Sequence, residues 1–483
     1  MSLLGGATAH LAASLAPRPK LLVLVVLEQM RQDHWDSVAD QFAAGGLRHI
    51  LSKGAHFPDC RHLASTFTAS TLATLATGAW PAQHGIVADS WYDRTVHGPV
   101  GASQEALLAT TLTAQVAAEK GDMRAFVIGL DAPHASLFAG TSDARQYWMD
   151  RRGQFTTLGE PPQWLVEYNA LKPLDNYHNA KWMAVHAKAG APPLRTLTYD
   201  PDHPERFLDL FQASPYGQAA QLEFLAGLIE KESLGQKDSF DFVCVLAGST
   251  ARLGFEVGAR SPLMRQMVLK LDEQLEYLLN RLKTLPGENA FNLVLAGGHG
   301  VPPEPAEESR KRMAVVGESV AQTVDRVLLA SGAGRVTRYL YPFLYLDTSG
   351  FRDPEPLRRA AGQAALTHPA VAGFYTAGGY CSTTDGWRER FRNSFHSSRS
   401  GDLMLSYLPE YVEDFGAGRG VSYGSLYNYD ARVPLCFYGP QFTAGVFESP
   451  VQSVDVAPTL ARAMGVGQPS TSQGRVLGEA FAE

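Results

Sequence analysis

Four cysteines are present in 483 residues, at positions 60, 244, 381 and 436. They lie far apart with no CxxC spacing, which argues against a zinc knuckle or a thiol-redox motif. Cys244 and Cys436 fall in apolar, strand-like runs, where a free thiol behaves as a small hydrophobe. No apolar run approaches the roughly 18 residues that a bilayer span needs, so no membrane span is expected. A basic excess is also missing. The 42 Lys and Arg face 49 Asp and Glu, a formal net charge of −7, which argues against nucleic acid as a partner because backbone binding is driven by clustered cations. The densest basic cluster, Arg310-Lys311-Arg312, sits beside Glu307 and Glu308 and reads as a solvated loop. The opening MSLLGGATAHLAASLAP has no basic n-region and does not read as a secretion signal.

Two nucleotide signatures are absent as well. Gly332-Ala333-Gly334 has no third glycine to complete a dinucleotide fingerprint, and nothing matches a P-loop. GVSYG at 420–424 does fit G-x-S-x-G, but a glycine-containing stretch precedes it where a strand is required. Ser422 is therefore a poor candidate nucleophile.

What remains is an ordinary globular composition, 45% hydrophobic and 19% charged, in a chain long enough for a large core. Short β-branched runs alternate with amphipathic ones, the pattern of a layered α/β fold with a largely parallel sheet. Leu21 to Leu27, Ala125 to Gly129, Phe242 to Leu246, Asn292 to Ala296 and Val433 to Phe437 read as strands of one sheet. Met267, Leu271, Leu275, Leu278 and Leu282 recur at spacings of three or four, one apolar stripe of a helix between Pro262 and Leu285. The core is expected over 18–483, with an inserted cap at 141–215 and a second, irregular insertion at 351–420.

Several segments in one order carry a resemblance. VVLEQMRQDHW (25–35), TASTLATLATGAWPAQHGIVADSWYD (68–93), LAGGHG (295–300), RNSFHSSRSGDLML (392–405), GSLYNYDARVPLCFYG (424–439) and SVDVAPTLARAMGVGQPSTSQGRVL (453–477) together resemble the alkaline phosphatase superfamily. The branch they resemble is that of the type I phosphodiesterase/nucleotide pyrophosphatases and their phosphomonoesterase relatives. The resemblance implies a three-layer α/β sandwich with a cap, a periplasmic or secreted location, and two zinc ions at the strand ends. One ion would deprotonate a threonine or serine nucleophile and the other would stabilise the leaving oxygen.

Carried over position by position, the resemblance places the nucleophile on Thr68, which can also serve as the cap of the following helix. An acidic ligand falls on Glu28, one methylene longer than aspartate. An Asp-x-x-x-His ligand pair falls on Ala251 and Phe255, which cannot bind zinc. An Asp-His pair falls on Gly298 and His299, so one ligand of two is left. A last histidine falls on Tyr423, whose phenol ionises near pH 10 and is an uncommon zinc ligand. A phosphate-contacting Asn falls on Asp89, and a Lys and Arg fall near Asp131 and Pro133.

One zinc thus loses every protein ligand, and the other keeps Glu28, Thr68 and His299. The expected state is metal-free or weakly loaded with a divalent metal, and the aromatics at Phe255 and Tyr423 are expected to fill the vacated space. His299 then reads as a surviving ligand, now hydrogen-bonded in a loop; His134 and His396 join it only if the fold gathers them. The leading expectation is an inactive or strongly divergent homologue that binds a small phosphorylated ligand or a protein partner. The alternative is a working phosphoester or sulfoester hydrolase that uses Thr68 and a reduced metal site.

Overall fold

The computed structural model describes residues 19–119, 123–303, 314–409, 411–414 and 422–482. The basic cluster at 310–312 and the first two residues of GVSYG lie outside them. Leu21–Leu27 forms strand β1, with all seven side chains buried. Leu21, Val23, Val25 and Leu27 pack into one core while Leu22, Leu24 and Val26 pack into a second on the opposite face. A strand covered on both faces needs apolar side chains at every position, which is why this run shows no polar alternation.

The central sheet has ten strands. In chain order its main members are β1, β2 (Ala55–Arg61), β3 (Arg124–Gly129), β4 (Arg145–Met149), β5 (Phe155–Thr157), β6 (Asp241–Ala247), β7 (Phe291–Gly297), β8 (Arg432–Tyr438) and β9 (Gly445–Val446). Their spatial order is β9-β2-β8-β7-β1-β6-β3-β4-β5, with Val451–Gln452 paired to β2 off this path. β7, β1, β6, β3 and β4 run parallel, whereas β8 pairs antiparallel with both β7 and β2. All five strands read from the sequence share this sheet. The helix read from its apolar stripe spans Pro262–Leu282; Leu271, Leu275, Leu278 and Leu282 are buried in the first core and Met267 in a small cluster with Trp182 and Leu253.

Two boundaries differ from expectation. Residues 141–157, assigned to the cap, supply β4 and β5 to the sheet. Their Tyr, Trp and Met side chains hid the strand signal, although aromatics suit a pleated surface. The cap is pinned to this edge by Asn169, which donates to the Phe155 carbonyl at 2.8 Å and accepts its amide at 3.1 Å. The region 351–420, expected to be irregular, carries regular structure. Val336–Leu340, Phe343–Leu346, Leu403–Tyr407 and Val371–Thr376 form a four-stranded antiparallel sheet, covered by helices Gly317–Ala330 and Glu355–Ala365 around their own core. Strands of four to six residues are too short to declare a period. Among the described residues no helix is long and apolar enough to cross a membrane.

Candidate functional site

Because β1, β3, β6 and β7 run parallel, their C-terminal ends open on one edge of the sheet, where crevices of α/β folds form. Glu28 follows β1, Asp131 follows β3, Gly248 follows β6, and Gly298 with His299 follows β7. Three helices close the crevice: α1 (Thr68–Thr77), α2 (Ala132–Ala139) and α3 (Ser249–Val257). The result is a cavity of about 270 Å³ lined by Glu28, Thr68, Leu130, Asp131, His134, Ala251, Arg252, Phe255 and Tyr423, among others.

Thr68 is the first residue of α1, and Phe67 occupies the cap position. Its hydroxyl does not cap the helix. It lies 2.9 Å from Nε2 of the fully buried His299. His299 Nδ1 lies 2.7 Å from the Gly300 carbonyl, which can only accept, so Nδ1 carries the hydrogen and Nε2 offers its lone pair to the threonine hydroxyl. Burial holds this imidazole neutral, with its pKa pushed down to about 4.

Tyr423 covers the other side of the pair. Its ring stacks on His299 with centroids 4.8 Å apart, and its hydroxyl donates to Asp89 Oδ2 at 3.0 Å. Asp89 Oδ1 accepts the Ala69 amide at 2.8 Å, so the carboxyl satisfies the first turn of α1. Burial raises the Asp89 pKa despite that amide, and raises the Tyr423 phenol as well. Both oxygens of Asp89 are thus engaged by the protein. Phe255 does not fill the crevice; it stands at the rim, 37% exposed.

Glu28 is 6% exposed, and its carboxyl has no hydrogen-bond partner among the described residues. Burial pushes its pKa above the usual carboxylate range. Gly298 backs onto it. A Cβ placed on Gly298 would meet Glu28 Cα at 3.4 Å, an ordinary contact.

Two cationic groups that the sequence reading did not assign also line the cavity. Asp131 caps α2 by accepting the His134 amide at 3.0 Å, and His134 Nδ1 donates to its second oxygen, also at 3.0 Å. Burial alone would lower the His134 pKa, but the Asp131 hydrogen bond and charge, with Glu28 and Asp89 nearby, raise it to about 9. Burial likewise pushes Asp131 up, yet His134 and Arg252 hold it below its ordinary value. Arg252 reaches Asp131 at 3.5 Å from α3. The readable signal was the Asp131-x-x-His134 spacing of a capping residue and its third helical position. The loss of positive charge inferred at Asp131 and Pro133 is therefore offset by their neighbours.

The fold gathers Glu28, Thr68, Ala251, Phe255 and Tyr423 around one cavity, with His299 behind Thr68. His134 joins this group. His396 does not; its Nδ1 meets the Ser398 hydroxyl at 3.1 Å elsewhere. Ser422 is buried in a stretch without strand or helix, unlike the strand-to-helix elbow its motif requires. Among the described residues no three His, Cys, Asp or Glu side chains gather at a spacing that suits a metal ion.

Residues 22–412 match the type I phosphodiesterase / nucleotide pyrophosphatase family. The chain belongs to that family. It is 23% identical to the alkaline phosphatase PafA of Elizabethkingia meningoseptica, over 96% of this chain and 94% of that protein. It is 26% identical to the alkaline phosphatase PhoK of Sphingomonas sp, over 92% and 88%. The crystal structure of wild-type PafA superposes with a TM-score of 0.82 at 21% identity, covering 97% of this chain and all of that one. An inactive murine ectonucleotide pyrophosphatase / phosphodiesterase 5 in complex with AMP gives 0.57 at 17% identity, over 93% and 96%. The fold is that of the alkaline phosphatase superfamily.

Proposed function

We propose that this chain is a superfamily member that does not build the two-zinc centre and holds a small phosphorylated ligand in its cleft without metal-dependent turnover. The observation that carries this reading is the pair Ala251 and Phe255, one helical turn apart on α3 and both facing the cavity where the family resemblance puts an Asp and a His. Neither offers an electron pair to a cation. Each zinc ion takes about four donors, mostly Cys, His, Asp or Glu. Of the remaining positions, Gly298 has no side chain, Tyr423 gives its hydroxyl to Asp89, and the free lone pair of His299 receives the Thr68 hydroxyl. The donors present do not fit the pair of ions.

The charge supports an anionic ligand. His134 and Arg252 are cations on the cavity wall, and the Glu28 carboxyl is pushed toward its neutral form. The AMP bound to the murine relative supports a phosphorylated class. A second reading, a phosphoester or sulfoester hydrolase with one ion at Glu28, Thr68 and His299, is favoured only by the placement of Glu28 and Thr68 on the same cavity.

Metal analysis of the purified protein, alongside turnover of aryl phosphate mono- and diesters by the wild type and Thr68→Ala, separates the two. The first reading expects sub-stoichiometric metal and no phosphoester turnover that depends on Thr68. Rapid turnover lost in a folded Thr68→Ala protein favours the second.

A further inference from the structure

We infer that Thr68 and His299 form a metal-independent nucleophile–base pair and that the cavity admits a small carboxylic ester whose acyl group passes to Thr68 Oγ1. The inference rests on the metal-free reading above in one respect, that no cation competes for the His299 lone pair.

Its geometric basis is the 2.9 Å contact together with its direction. The Gly300 carbonyl fixes the hydrogen on Nδ1 and Tyr423 stacks on the ring, so the base is oriented by a third group as nucleophile–base pairs require. Thr68 is 5% exposed yet lines the cavity, so a molecule bound there would reach its oxygen. Leu130 and Phe255 give the cavity apolar walls, suited to an aryl or short alkyl leaving group. His134 spends Nδ1 on Asp131 and has no protein partner for Nε2 among the described residues, which leaves that nitrogen on the cavity wall open to a ligand.

Reaction type follows from charge. A transferring phosphoryl group spreads charge over three equatorial oxygens and is ordinarily met by metal ions. Here no metal ion shares that charge, and His134 and Arg252 are the cationic side chains on the wall. A tetrahedral acyl intermediate develops one oxyanion, which a single cationic side chain of the wall can meet. In the first half-reaction the Thr68 Oγ1–carbon bond forms, the hydroxyl proton passes to His299 Nε2, and the ester C–O bond breaks as that proton goes to the departing alkoxide. In the second, water adds to the acyl-threonine, gives its proton to Nε2, and the carboxylic acid leaves as Thr68 recovers its hydrogen.

The test uses the full chain in excess EDTA with p-nitrophenyl acetate as the probe. Intact and peptide mass spectrometry should find an acetyl adduct on Thr68, absent in Thr68→Ala. Acylation should slow at least tenfold in His299→Gln, which can accept the threonine hydrogen bond but cannot take the proton. Matched thermal melts of these variants exclude loss of the fold as the cause. Inorganic phosphate should slow acylation by occupying the cavity, and acylation unaffected by saturating phosphate would place the reaction outside it and overturn the proposal. No Thr68 adduct, or an adduct whose rate is unchanged in His299→Gln, overturns the pair while leaving the metal-free reading intact. An adduct that forms only with zinc overturns both.

Discussion

Tyr423 donates its hydroxyl to Asp89 at 3.0 Å, and because the other Asp89 oxygen accepts the Ala69 amide, the two bonds join the segment before β8 to the first turn of α1, where Thr68 sits. This makes the phenol a structural part of the crevice floor. Replacing Tyr423 with Phe keeps the stack on His299 but leaves a largely buried carboxyl with one partner fewer. Stability should fall by about 1–3 kcal/mol, read by urea unfolding. Most of that loss should disappear when Asp89 is first replaced by Ala, because the two residues share one interaction.

The Asp131–His134 pair gives a pH signature. The Asp131 hydrogen bond and charge raise the folded His134 pKa to about 9, above the ordinary histidine value of about 6.5. Its contribution to stability is fully present below about 6.5 and is lost as pH rises through about 9. Wild-type stability should decline across that window. In Asp131→Asn the imidazole loses its main stabilising partner, so its pKa, followed by NMR, should fall and the decline should flatten between pH 7 and 9. An unshifted His134 titration in that variant would remove the pair from the account.

Arg252 is half-exposed and carries no core packing, so Arg252→Ala should fold normally. Its affinity for inorganic phosphate should drop several-fold, and calorimetric titration at low salt reads the difference. Equal affinity in the two proteins would place the anion elsewhere.

Much of the fold was legible because the central strands are buried on both faces and are apolar almost throughout, as β1 is at every position and β7 at all but Asn292. The strands around Tyr147 and Phe343 were not, since short strands and aromatic edges give no clear period. At the site, the resemblance could nominate Ala251, Phe255, Gly298 and Tyr423 by position alone. The direction of the Thr68 hydrogen bond was not legible, because it depends on which nitrogen of His299 meets the Gly300 carbonyl. The cationic state of His134 was legible in part: its main cause, Asp131, lies three residues away in the sequence, whereas Glu28 and Asp89, which add to it, are brought near only by the tertiary structure.

Gly298 is not required by backbone strain, and a Cβ there meets only ordinary contacts. Gly298→Asp should therefore fold with a small change in melting temperature. Combined with Ala251→Asp, Phe255→His and Tyr423→His, it should raise zinc affinity by orders of magnitude over the wild type, measured by competition with a chromophoric chelator.

The central claim is that the donors around Thr68 cannot retain a pair of divalent cations. Elemental analysis of wild-type protein dialysed after exposure to excess zinc tests it most directly. The account predicts well under one equivalent bound; two equivalents per chain, lost in Thr68→Ala or Glu28→Ala, would contradict it.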